Sequence, residues 1–93
     1  DRGYCDVYAY DFDPDASILT LKSGFPLTLP NCVAAIDLDL DTKRSRLYVS
    51  DPGSTSVRAY DISTWTEVLS FQPSLVPAGI AVDADNNLVY SSG

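Results

Sequence analysis

Val57-Arg58-Ala59-Tyr60-Asp61 is the stretch that decides the fold, because Val7-Tyr8-Ala9-Tyr10-Asp11 states nearly the same five residues fifty positions earlier. Each copy is followed by a polar turn and a second short apolar run, Ile18–Leu21 after the first and Val68–Phe71 after the second. A second pair also repeats. Ala35-Ile36-Asp37-Leu38-Asp39 with Leu47-Tyr48-Val49-Ser50 returns as Gly79-Ile80-Ala81-Val82-Asp83 with Leu88-Val89-Tyr90-Ser91, at an offset of 44 shrinking to 41. Within every copy the apolar residues alternate with polar ones, which is the period of a strand with one buried face.

Working outward, strands are expected at Val7–Phe12, Ile18–Leu21, Val33–Leu38, Arg46–Ser50, Val57–Ile62, Val68–Phe71, Gly79–Val82 and Leu88–Tyr90. Turn signals separate them: Asp13-Pro14-Asp15, Ser23-Gly24, Asp41-Thr42-Lys43, Asp51-Pro52-Gly53-Ser54, Ser63-Thr64 and Asp83–Asn87. No window of twelve residues keeps a helical spacing. The fold class is all-β. A repeat of about 40 to 50 residues with four strands each is the pattern of a β-propeller. The expected architecture is a partial β-propeller of about two four-stranded antiparallel blades. Residues 1–24 form the outer C–D half of one blade, 31–72 a complete A-B-C-D blade, and 77–93 the inner A–B half of a third. Both half-blades would leave unpaired strand edges and one-sided apolar faces, which blades normally bury against neighbours.

The repeats resemble a known group. Leu47-Tyr48-Val49-Ser50-Asp51 followed by Ser56-Val57-Arg58-Ala59-Tyr60-Asp61 looks like the YVTN and NHL propeller repeats. Residues Pro77 to Tyr90 are similar to the opening hairpin of an NHL blade, and Val7 to Asp15 resemble a strand and turn of the gluconolactonase (regucalcin-like) family. That likeness implies a propeller architecture. It also implies a place to look for chemistry, because gluconolactonases hold a divalent cation with a Glu, an Asn and an Asp near the central channel. The Asp falls in a Pro-Asp-Gly-Ile turn, where this chain has Ala78. The only Glu, Glu67, belongs to an outer strand.

Charge narrows the partners. Thirteen acids against six bases give −7, which disfavours binding a phosphate backbone. Every acid but Glu67 is Asp, and Asp favours turns because its short carboxylate reaches nearby backbone N–H groups. No run approaches the ~18 apolar residues of a membrane span, and the start of the sequence has no signal-peptide pattern. No His is present, which removes His-dependent triads and His-ligated metals from this segment.

Four features could still carry chemistry. Asp11-Asp13-Asp15 and Asp37-Asp39-Asp41 each gather three carboxylates on one side of a strand, and hard oxygen ligands suit calcium. Neither fits an EF-hand loop, since Ala16 and Thr42 replace its glycine and Lys22 and Tyr48 its final Glu. The competing reading is a solvated strand end running into an Asp-rich turn. Cys5 and Cys32 fit no C-x-x-C spacing; they form either a disulfide closing a 28-residue loop or two separate buried thiols. The disulfide would place the protein outside the cell. Trp65 is a candidate sugar platform, though a single Trp on a turn before a strand is more often a packing residue. The basic turn Lys43-Arg44-Ser45-Arg46 reads as solvated, and no Asn-x-Ser/Thr acceptor exists.

The sequence therefore points to an extracellular structural or protein-interaction module. Its open edges would meet other protein chains or the remainder of a longer chain. The rival readings are a fragment of a lactonase-like hydrolase with its catalytic residues elsewhere, and a small oligomeric lectin. No motif calls for a cofactor; calcium at the acidic triplets is the one ion to consider.

Overall fold

The structure is a computed structural model that describes residues 5–73 and 76–93. Residues 1–4 of the first expected unit lie outside that range. Ten strands and no helix are found among the described residues: β1 Asp6–Val7, β2 Tyr10–Asp13, β3 Ile18–Leu21, β4 Leu27–Thr28, β5 Asp37–Asp41, β6 Arg46–Asp51, β7 Ser56–Asp61, β8 Glu67–Phe71, β9 Ile80–Asp83 and β10 Leu88–Ser91. The protein is all-β. Its strands form small separate sheets: a four-stranded meander β5-β6-β7-β8, the hairpins β2–β3 and β9–β10, and the short pair β1–β4.

The meander is the centre of the molecule. Its register places Leu47 beside Tyr60 and Val49 beside Arg58, while Tyr48 opposes Ala59 and Ser50 opposes Val57. Alternation then sends these two sets to opposite faces. On one face Leu47, Val49 and Tyr60 are buried under Cys5 and Leu29, with Val7, Cys32 and Ala35 packed around them. On the other, Tyr48, Val57 and Ala59 are buried against Ile80 and Val82 of β9. Val49 and Tyr60 are fully enclosed, and each such side chain contributes roughly 1.5–3 kcal/mol. The outer hairpins differ. Every residue of β2, β3 and β10 is exposed, including Phe12, Leu19 and Tyr90. The radius of gyration, 13.8 Å, exceeds the ~12 Å of a compact chain of this length.

The Asp bias has a structural cause. Five hairpin turns share one form, Asp-x-x-x followed by a left-handed residue one or two positions before the next strand begins: Asp13 to Ser17, Asp41 to Ser45, Asp51 to Thr55, Asp61 to Trp65 and Asp83 to Asn87. In four of them the Asp carboxylate accepts amide bonds from its own turn: Asp13 from Asp15 and Ala16, Asp41 from Lys43 and Arg44, Asp61 from Ser63 and Thr64, and Asp83 from Asn86. Asp51 is the exception, with its amide acceptors turned elsewhere. Thr55, a β-branched residue at φ 58°, is strained there. Thr55→Gly is therefore expected to stabilise the chain by about 0.5–1 kcal/mol in urea unfolding. A loss instead would mean that the threonine side chain holds the turn.

Several boundaries differ from the sequence reading. The first four residues of the expected strand Val33–Leu38 form a loop, and β5 begins at Asp37, because the Val33 and Ala34 amides bond to the Asp51 carboxylate and not to a neighbouring strand. The expected strand Val7–Phe12 breaks at Tyr8-Ala9. Residues 22–26 bulge on the opposite side, and β4, which no pattern announced, pairs with β1 beyond the bulge. The two near-identical pentapeptides consequently lie differently: Val57–Asp61 is unbroken strand, whereas Val7–Asp11 straddles the break. The other repeat is more regular than its sequence offset. Ala78 N donates to Ser92 O as Ile36 N donates to Ser50 O, and Asn87 takes the left-handed place of Ser45. Both correspondences give a constant shift of 42 residues, since 78 − 36, 92 − 50 and 87 − 45 agree.

Candidate functional site

The most constrained side chains converge where the end of β6 meets the segment leading into β5. Asp51 is fully buried. Its Oδ2 accepts from Val33 N at 2.9 Å, Ser54 Oγ at 2.7 Å and Arg58 Nε at 3.3 Å, and its Oδ1 accepts from Ala34 N at 2.8 Å. Arg58 continues the network, donating through Nη1 to Glu67 Oε2 at 2.6 Å and through Nη2 to Ser54 Oγ at 3.0 Å. Glu67 also accepts from Asn31 Nδ2 at 2.8 Å. Burial pushes the Asp51 carboxyl up, but its bonds from Ser54, the Val33 and Ala34 amides and Arg58 outweigh this and hold it below the ordinary carboxylate range. Tyr60 lies in the same layer and donates its hydroxyl to Pro30 O at 2.7 Å. Burial, reinforced by Glu67, pushes that phenol up to about 12.

Cys5 and Cys32 are joined in a disulfide with their Cα atoms 5.8 Å apart. The bridge lies beside Asp51, the sulfurs and a carboxylate oxygen all within 4.8 Å of one another. Each of these atoms is already committed, the sulfurs to each other and the carboxylate to its donors.

The acidic triplets fall in different settings. Asp37 and Asp39 each use one oxygen for the next amide of their own strand, Leu38 N and Leu40 N, and the other for β9. Ile80 N donates to Asp37 Oδ2 at 3.0 Å and Val82 N to Asp39 Oδ2 at 2.8 Å. The carboxylates thus latch β5 to β9 across the gap between two sheets. Asp41 is buried and holds its own turn. Burial raises its pKa, but the Arg44 guanidinium and the Arg44 and Lys43 amides bring it below the usual range. The basic turn is tied in as well, since Arg44 also bonds to Asn87 and Lys43 pairs with Asp85 at 3.7 Å. Asp11, Asp13 and Asp15 are all exposed on or beside the β2–β3 hairpin; Asp13 caps the turn and Asp11 stands 4.0 Å from Lys22. Trp65 is half-buried, edge-on to Phe25 with ring centroids 5.9 Å apart.

Two features were not foreseen from the sequence. One is Asp51, whose only outward sign is its place between a strand and Pro52-Gly53. The other is an open apolar groove of about 520 Å³ between the β1 segment and the meander, lined by Val7, Tyr8, Ala9, Phe25, Leu38, Leu40, Leu47, Ile62 and Trp65, with Asp6 and Lys22 among its polar neighbours. Leu38 and Leu40 remain 49% and 44% exposed there. Alternation of leucine with aspartate along β5 was the available signal for that face. No family model matches the sequence, and no curated protein or solved structure matches the chain.

Proposed function

We propose that this chain is a propeller-type repeat segment that serves as an extracellular structural or protein-interaction module. The observation that carries the reading is the meander with the β1 segment and Leu29 packed on one face and β9 on the other, while β2, β3 and β10 leave their apolar side chains exposed. Repeat proteins bury such faces against the next unit, and exposed apolar area of this extent marks an interaction surface. The Cys5–Cys32 disulfide suits an oxidising compartment outside the cell. Asp37 and Asp39 act as joints between units and the network around Asp51 braces the central unit, both structural roles.

Hydrogen exchange, followed by an image of the assembled particle, tests this reading. The outward amides of β10 and β2 are expected to be protected in the native assembly, with the sheets set radially and β5 and β9 innermost. Two sheets packed face to face as a closed sandwich would overturn it.

A further inference from the structure

The constant 42-residue shift makes Ile80 and Val82 the counterparts of Leu38 and Leu40. Ile80 is 9% exposed because the meander covers it. Leu38 and Leu40 face an open groove. A second asymmetry lies beside it. β7 is paired on both edges, with β6 and with β8. Its sequence counterpart, the run from Val7 through Ala9, is paired along β1 with β4 on one edge only among the described residues, and its other side borders the groove. The partner missing from both places is the same object: a hairpin equivalent to β5–β6, seated one repeat earlier.

Resting on the repeat reading above, we propose that this groove is filled by the β9–β10 hairpin of a second copy of the chain. That hairpin is the one β5–β6 equivalent among the described residues whose outer edge has no strand beside it, and Leu88 and Tyr90 on it are 45% and 57% exposed. The docking continues an interface the chain already makes. As Tyr48 lies opposite Ala59, Tyr90 of the second copy would lie opposite Ala9. The chemistry of the covering face also fits. In the existing interface β5 presents Asp37 and Asp39 to take the free amides of Ile80 and Val82. On the bare side the amides of Leu38 and Leu40 are already bonded to those same two aspartates, so the covering strand needs no acceptors there. β9 presents Gly79 and Ala81 at the equivalent positions. These small residues leave room for both leucines. Since hairpin and groove are different surfaces, the association is head-to-tail and closes into a ring or continues as a chain.

Sedimentation of the 93-residue protein tests the pairing. The wild type is expected to exceed its 10.1 kDa monomer mass at tens of micromolar. Leu40→Asp, which blocks the groove, and Tyr90→Asp, which blocks the hairpin, should each weaken association at least tenfold. Mixed together, they should form a one-to-one pair that grows no further, because one intact hairpin meets one intact groove. Far-UV circular dichroism checks folding, and Leu38→Asp substitutes if Leu40→Asp does not fold. A folded wild-type monomer, or a mixture that does not pair, overturns the proposal. Either result leaves the repeat reading intact, whereas a sandwich arrangement of the sheets would remove that reading itself.

Discussion

Breaking the Cys5–Cys32 bridge is expected to cost about 3.5 kcal/mol of stability, the loop-entropy value for a closed loop of 28 residues. The bridge fastens the start of β1 to the segment that enters β5, and both ends pack over Leu47, Val49 and Tyr60. Without it the β1–β4 pair, two residues long on each side, holds to the meander by packing alone. Cys5→Ala/Cys32→Ala should lower the thermal midpoint by roughly 15–25 °C at this chain length. Trp65 fluorescence is the natural probe, since this single tryptophan packs against the same cluster. A drop below about 1 kcal/mol would show that the cross-link constrains neither state.

The residues also explain which parts of the fold were legible. β6 and β7 alternate cleanly because both faces of that sheet are buried by different units, and their boundaries fall within a residue of those expected. β5 was displaced because two signals overlapped. Val33-Ala34-Ala35-Ile36 has strand composition, but its first two amides are claimed by a carboxylate 17 or 18 positions away. The leucines that do lie in β5 alternate with aspartates that read as a strand end. The N-terminal unit failed for a related reason. Its Val-x-Ala-Tyr-Asp motif matches β7, yet the bulge at residues 22–26 breaks the ladder after β1, and nothing local to Tyr8-Ala9 announces this.

At the candidate site, the sequence left Cys5 and Cys32 open between a disulfide and two buried thiols, and the fold joins them. The groove could not be read, because Tyr8 meets Leu38 and Trp65 only after two units have packed. The aspartates show the same divide. Their turn role is local and visible in composition, while the inter-sheet bonds of Asp37 and Asp39 and the loop bonds of Asp51 depend on which amides are left unpaired by the fold.

Asp51 is where that dependence carries the greatest energetic weight. Asp51→Ala removes the acceptor of the Val33 and Ala34 amides and of Ser54 Oγ, and it leaves the Arg58 side chain, 12% exposed, with Glu67 as its remaining ion-pair partner. Removing one partner from a buried pair costs about 3–5 kcal/mol. A chain of this size has roughly 5–14 kcal/mol in total, so the variant should lose a large fraction of its urea resistance at pH 7. The acid limb supplies a second readout. Asp51 is held below its ordinary pKa in the folded state, so its contribution is complete above the unfolded carboxylate value of about 3.9 and is lost as pH falls through the lower folded value. Asp61, held low chiefly by the Ser63 hydroxyl and amide, and Asp41 add slopes of the same sign. The wild type should therefore weaken more steeply than Asp51→Ala between pH 5 and pH 2, the variant retaining only the slope of the remaining carboxylates. Parallel curves would mean that the Asp51 carboxylate carries no net charge-dependent stabilisation, and that the loop from Cys32 to Ala35 is held by the disulfide alone.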